Sequence, residues 1–153
     1  MQELIADVIS NYTLQLQEIE GRIDLDLHAK HDIVNGDDGH LRNLVSNLLD
    51  NAVKYSKGKL ILKISSSNHN RNLVLKFEDN GIGMSKETVR RIFEKFYRAH
   101  TGNLHNVKGF GLGLSYVKTI IDAHGGNIKA ESSLGKGSSF TLEIPTTREK
   151  VIS

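Results

Sequence analysis

In Leu73-Val-Leu-Lys-Phe77-Glu-Asp79-Asn-Gly81-Ile-Gly83, large apolar residues hold every second position from Leu73 to Phe77 until the row reaches a carboxylate and then two glycines. Side chains of a strand point alternately to opposite faces, so Leu73, Leu75 and Phe77 share one face and Asp79 comes next on it. An inward row therefore ends in a carboxylate, and burying an unpaired carboxylate is costly. Parity leaves two readings open. Asp79 meets a partner at the end of the sheet, or it leaves the sheet to face water or cap a helix starting near Ser85. The strand over about 138–144 repeats the oddity, with Ser138 on the face of Phe140, Leu142 and Ile144.

Working outward, Leu60, Leu62 and Ile64 alternate in a companion strand, joined to the first through a polar turn over Ser65–Asn72. Upstream, Leu4, Ile5, Val8, Ile9, Tyr12, Leu16 and Ile19 recur at helical spacing, predicting one helix from Glu3 to Glu20 with Gly21 as its stop. Ile23, Leu25 and Leu27 predict a half-buried strand, and Ile33 and Val34 a short second strand within the polar stretch 28–37. Asp37 or Asp38 caps a helix from about Gly39 to Tyr55. A short helix over 85–92 leads to Phe93, Phe96 and Tyr97, which read as packing residues. Residues 98–110 read as a long loop, and loops of that length are usually functional. A helix over 112–123 ends at His124-Gly125-Gly126, and two strands flank the turn Leu134–Gly137. This irregular alternation predicts an α+β fold, a two-layer α/β sandwich whose mixed sheet is covered by helices on one face. Residues 1–145 form one domain and 146–153 a frayed tail.

The helix over 39–55 carries a second anomaly. Asn43, Asn47 and Asn51 step by four, so they stack on one stripe that Lys54 and Tyr55 complete, beside the apolar arc of Leu44, Val45, Leu48 and Ala52. Each Asn costs a helix roughly 0.5 kcal/mol relative to Ala. An exposed polar face is the plain alternative; alignment with a Lys and a Tyr favours a ligand edge. Glycines cluster too, in Gly81-Ile-Gly83, Gly109-Phe-Gly111-Leu-Gly113-Leu114 and Gly135-Lys-Gly137. Alternating glycines at a helix start let consecutive N–H groups face one anion. Leu114 stands where the dinucleotide fingerprint needs its third glycine, and neither Gly-Lys pair sits in a Walker A loop.

Composition removes other classes. Lys and Arg number 20 against 18 Asp and Glu, a formal +2 that is too balanced for bulk attraction to nucleic acid. Without cysteine there is no disulfide, thiolate metal site or Cys nucleophile. No apolar run reaches the roughly 20 residues of a membrane helix. His28 with His31, and His100 with His105, lack the helical i, i+4 spacing and added carboxylate of a metal site, and read as solvated surface.

Four ordered motifs together resemble the catalytic ATP-binding domain of bacterial sensor histidine kinases, a member of the Bergerat-fold ATPases. Asn47-Leu-Leu-Asp-Asn51-Ala-Val-Lys54-Tyr55 is similar to the N box, and Asp79-Asn-Gly-Ile-Gly83 to the first glycine box. Phe93-Glu-Lys-Phe-Tyr-Arg98 is similar to the F box, and Gly109-Phe-Gly-Leu-Gly-Leu114 to the second glycine box. The likeness runs from about Glu3 to Pro145.

The resemblance implies roles. Asp79 accepts the adenine amino group, where guanine would set acceptor against acceptor. Ser138 assists through a water, Gly81 and Gly83 bring backbone close to the base, and Met84 lies nearby. Asn51 ligates Mg²⁺ through its amide oxygen. Asn47 and Lys54 face the phosphates, and Tyr55 stacks on or edges the adenine. Residues 98–110 form the ATP lid, with Arg98 and Lys108 near the phosphates. Gly109, Gly111 and Gly113, with Leu112 and Leu114 between and after them, supply an anion nest. Asn47, Lys54 and Arg98 are the implied catalytic residues.

Position 47 bears on the reaction. ATP-hydrolysing relatives in the superfamily carry a Glu there, and the amide of Asn47 cannot act as a general base. The resemblance therefore implies transfer of the γ-phosphoryl to a histidine on a separate, upstream dimerisation domain, in two-component signalling with a response regulator. The only His-Asp pair, His31-Asp32, lacks the nearby Pro of the acceptor motif. An excised, monomeric, cytoplasmic domain of an inner-membrane sensor is implied, with Met1 as an added start, ATP and Mg²⁺ as cofactors, and no direct membrane or nucleic-acid contact.

Overall fold

The computed structural model describes residues 1–95, 97 and 113–147. Ten elements follow in chain order: α1 (Gln2–Ser10), α2 (Thr13–Glu18), β1 (Arg22–Leu27), α3 (Asp38–Lys54), β2 (Ile61–His69), β3 (Asn72–Asp79), α4 (Lys86–Arg91), α5 (Gly113–Ala123), β4 (Asn127–Ser133) and β5 (Gly137–Pro145). The strands form one sheet in the order β1-β2-β3-β5-β4. β1 runs parallel to β2 across the α3 crossover, and the other neighbours are antiparallel, so the sheet is mixed as expected.

Alternation sets which face is covered. Leu62, Ile64, Leu73, Leu75, Phe77, Phe140, Leu142 and Ile144 are all buried, whereas Lys63, Lys76, Glu78 and Glu143 on the opposite face are not. The buried row joins one core with Ile5 and Val8 of α1, Leu44, Val45, Leu48 and Leu49 of α3, and Val117 and Ile121 of α5. The two-layer sandwich is thus present. No helix among the described residues is long and apolar enough to cross a membrane.

Three local expectations need correction. The first helix is two helices. Ser10 Oγ donates to the Asp7 carbonyl (2.6 Å) and Thr13 Oγ1 to the Ser10 carbonyl (3.0 Å), diverting the backbone between them into a turn. The left-handed residue that ends α2 is Glu20 (φ 50), with Gly21 N–H reaching back to the Leu16 carbonyl at 2.7 Å.

The segment 28–37 forms no strand. Side chains from β2 replace a ladder there. Asn68 Oδ1 accepts from the Lys30 and His31 N–H groups, its amide nitrogen donates to the His31 carbonyl, and Ser66 Oγ accepts from Ala29 N–H. Those serines and Asn68 belong to β2 itself, so the expected turn Ser65–Asn72 shrinks to Asn70-Arg71. Both residues have positive φ (49 and 70), the conformation of a two-residue hairpin turn. Ser66 is buried but satisfied, donating to Gln2 Oε1 at 2.6 Å.

Candidate functional site

α3 starts where Asp37 caps it, accepting from His40 N–H at 3.0 Å, and it ends at Lys54 with Tyr55 as its C-cap. Leu41, Leu44, Val45, Leu48, Leu49 and Ala52 face the core, which turns the amide stripe sideways. Asn43 lies exposed, Asn47 and Asn51 are half-buried, and Lys54 is exposed in the last turn. A Cβ on Gly113, the first residue of α5, would stand 3.6 Å from Asn47 Oδ1, so the amide stripe borders the start of that helix.

Asp79 ends β3 opposite Leu62 on one side and Ser138 on the other. Its Oδ1 accepts from Gly81 N–H at 2.9 Å and from Ser138 N–H at 3.3 Å. Ser85, not Asp79, caps α4, accepting from Thr88 N–H at 3.2 Å. The capping alternative for Asp79 is therefore excluded. Burial pushes the Asp79 carboxyl above the usual carboxylate range, although the two N–H donors pull the other way. A carboxylate held in this state gains from a hydrogen-bond donor entering the cleft.

The loop after Asp79 is strapped on three sides. Ile82 N–H donates to the Tyr55 carbonyl (3.0 Å), Gly135 N–H to the Ile82 carbonyl (2.7 Å), and Met84 N–H to Ser132 Oγ (2.7 Å). Such close approach needs glycine. Gly83 has φ +73, and a Cβ there would fall 2.0 Å from the Ser133 carbonyl oxygen. Gly137, at φ +100, would bring one equally close to the Asp79 carbonyl oxygen.

Asn51, Tyr55, Asp79, Ile82, Gly83, Met84, Ile92 and Ser138 consequently line one cleft. Of the residues expected at the site, Asn51, Tyr55, Asp79, Gly83, Met84 and Ser138 meet in it, and Gly81 adjoins it through Asp79. Leu114 is buried, packing α5 against the core. Arg98, Lys108, Gly109, Gly111 and Leu112, like Phe96, lie outside the described residues. Phe93 packs edge-on against Phe140, with centroids 6.4 Å apart, in keeping with its expected packing role.

Sequence reasoning missed four contributors. Ile82 and Ile92 give the cleft apolar walls. Asn80 staples the loop to the start of β2, accepting from Ile61 N–H and donating to the Lys59 carbonyl. Ser132 lies opposite Ser138 in the β4–β5 register, and the alternation Ile128, Ala130, Ser132 was the available signal for it.

Comparisons with known proteins agree with this fold. The sequence model of the family described as Histidine kinase-, DNA gyrase B-, and HSP90-like ATPase matches residues 36–148. Sensor protein RprX of Bacteroides fragilis is 46% identical over 145 residues, which cover 94% of this chain and 28% of that protein. Sensor histidine kinase RppB of Synechocystis is 35% identical over 143 residues, 91% of this chain and 32% of that one. The chain thus spans about a third or less of these relatives. Among solved structures, the catalytic domain of histidine kinase ThkA, in a nucleotide-free form, matches with a TM-score of 0.80 at 26% identity, covering 96% of this chain and 93% of that one. Full-length ShkA in complex with AMPPNP matches with a TM-score of 0.80 at 25% identity, covering 95% of this chain and 30% of that one. With the family's sequence model spanning most of its length, and Asn51, Tyr55, Asp79 and Gly83 of two of its motifs lining one cleft, the chain belongs to the histidine kinase-, DNA gyrase B- and HSP90-like ATPases, as an ATP-binding domain of the sensor histidine kinase kind on the Bergerat fold.

Proposed function

We propose that this domain positions Mg²⁺–ATP so that its γ-phosphoryl passes to a histidine on a separate dimerisation domain of a longer sensor kinase, from which a response regulator receives it. The observation that carries the reading is Asp79. Two backbone N–H groups occupy its Oδ1, and the carboxyl lines a cleft shared with Asn51. An acceptor so placed suits the exocyclic amine of adenine and repels the carbonyl of guanine.

Roles for the remaining residues follow. Tyr55 and Met84 flank the base, Ser138 supports Asp79, and Gly81 and Gly83 allow the backbone to close on the ring. Asn47 and Lys54 face the phosphates. Arg98, Lys108 and the glycine run Gly109, Gly111 and Gly113 are assigned to the lid on the motif match. A magnesium ion fits the donor set. Asn51 offers a neutral amide oxygen, and no cluster of three or more His, Cys, Asp or Glu side chains among the described residues makes a protein cage. Mg²⁺ typically takes few protein ligands and keeps phosphate oxygens and waters. When bound, it neutralises phosphate charge.

Because the amide of Asn47 cannot activate water, the chain contributes positioning and electrostatics rather than a base. The parent is a membrane-anchored sensor with this domain on the cytoplasmic side. The test adds a helical dimerisation domain of the same sensor to the purified domain with radiolabelled ATP. Expected is little labelling of the domain alone and strong labelling of the partner, lost in acid and kept in base. Rapid ATP hydrolysis by the domain alone, or an acid-stable product, would overturn the reading.

A further inference from the structure

Ser132 sits behind the cleft, and its hydroxyl makes three contacts. It accepts from Met84 N–H at 2.7 Å, donates to the Gly137 carbonyl at 2.7 Å, and lies 2.9 Å from Ser138 Oγ. A serine hydroxyl has one hydrogen and two lone pairs. The Gly137 carbonyl can only accept, so it takes the single hydrogen of Ser132. In the Ser132–Ser138 contact the donor is therefore Ser138.

This accounting fixes the polarity of Ser138. Its backbone N–H is committed to Asp79 Oδ1. Its hydroxyl hydrogen points at Ser132, on the strand behind it, so toward the cleft Ser138 offers lone pairs only. The cleft then presents acceptors from two side chains at one place, the Asp79 carboxylate and the Ser138 oxygen.

We infer that Ser132 is a specificity-determining positioning residue. By holding the Ser138 hydroxyl in its accepting orientation, it makes this end of the cleft select a purine with an amino group at position 6, and reject one with a carbonyl there, directly or through a bridging water. The inference rests on the proposed nucleotide reading and extends it to a residue that touches no ligand. Without the Ser132 oxygen, Ser138 turns its hydrogen into the cleft and can donate to a 6-carbonyl. The same bond network ties Ser132 to Met84 N–H, so one hydroxyl sets both the height of the loop and the polarity of the pocket.

The probes are ATP and inosine triphosphate, which differ only in the 6-amino group against a 6-carbonyl with its ring N–H. Their affinities are measured by calorimetry for the wild type, Ser132→Ala, Ser132→Thr, Ser138→Ala, the double alanine variant and Asp79→Asn. Ser132→Ala should shrink the ATP preference about fivefold, the equivalent of one hydrogen bond. Ser132→Thr, which keeps the hydroxyl, should retain the preference. In the Ser138→Ala background, Ser132→Ala should leave the ratio where it is, because no hydroxyl remains to be oriented. A purely structural role would weaken both nucleotides together and leave the ratio of the single variant unchanged, which overturns the inference. If Asp79→Asn alters the ratio while Ser132→Ala does not, only this inference fails. If Asp79→Asn changes neither affinity, the nucleotide reading fails with it.

Discussion

The Tyr12 hydroxyl lies 2.6 Å from Asp50 Oδ1 and 3.0 Å from the Ser46 carbonyl oxygen, joining the break between α1 and α2 to the helix that carries Asn47 and Asn51. Burial, and then the Asp50 carboxylate, push the Tyr12 phenol far above its ordinary pKa, so it remains a donor at any physiological pH. Hydrogen bonds to charged acceptors exceed neutral ones. Tyr12→Phe should therefore cost about 2 kcal/mol of unfolding free energy, read as a lower urea midpoint at unchanged slope. A shift of only a few tenths would show that the bond is replaced by water without loss.

Asp79 gives a pH-resolved prediction. Its folded pKa is raised, so its contribution to stability is fully present below the unfolded value of 3.8 and is lost as pH rises through the folded value. At pH 7, well above that unfolded value, burial of the Asp79 carboxyl therefore opposes folding. Asp79→Asn keeps an oxygen for the Gly81 and Ser138 N–H groups and should melt higher than the wild type at pH 7. That advantage should fade as pH falls and vanish near pH 3, while ATP affinity is lost at every pH. A higher melting temperature for the wild type at pH 7 would contradict the burial argument.

Two glycines of the motifs should respond in opposite ways. Gly83→Ala forces a Cβ to 2.0 Å from the Ser133 carbonyl oxygen at a left-handed backbone position, so fold and ATP binding should both fail, at a cost of roughly 3 kcal/mol or more. At Gly113 the nearest atom to an added Cβ is Asn47 Oδ1 at 3.6 Å, ordinary contact. Gly113→Ala should raise stability by up to about 1 kcal/mol, the helix propensity difference. Thermal melts of both variants provide the check.

Metal dependence isolates Asn51. ATP affinity of the wild type should drop when a chelator removes Mg²⁺. Asn51→Ala should bind Mg²⁺-free ATP nearly as well as the wild type and gain little when the ion is restored. Calorimetric titrations with and without chelator decide it. Full recovery of affinity by the variant on adding Mg²⁺ would remove Asn51 from the metal.

Much of the site was legible because its signals are local. The parity of Leu73, Leu75, Phe77 and Asp79 needed only the two-residue period of a strand, and the amide stripe of α3 only the helical one. The misreadings occurred where side chains, distant or near, compete for the backbone. Ile33 and Val34 read as a strand, but Asn68 and Ser66 hold the preceding residues Ala29, Lys30 and His31 through side-chain bonds, and the Ile33 carbonyl accepts from Thr147 N–H at 2.8 Å, beyond the end of β5. The N-terminal apolar period runs through Tyr12 without a sign of the turn, which Ser10 and Thr13 make by donating to the carbonyls of Asp7 and Ser10, three residues back.

Sequence alone therefore determined the sheet's inward rows, an aspartate cap for α3, and which four motifs occur and in what order, since periodicity and capping depend on residues a few positions apart. Tertiary structure decided what those rows meet at their ends. That Asp79 Oδ1 is shared between Gly81 and Ser138, and that Ser132 takes the hydrogen of Ser138, depends on the register of β3, β5 and β4. The direction of a hydroxyl hydrogen is set by which carbonyl lies beside it. That neighbour is known only once the strands have paired.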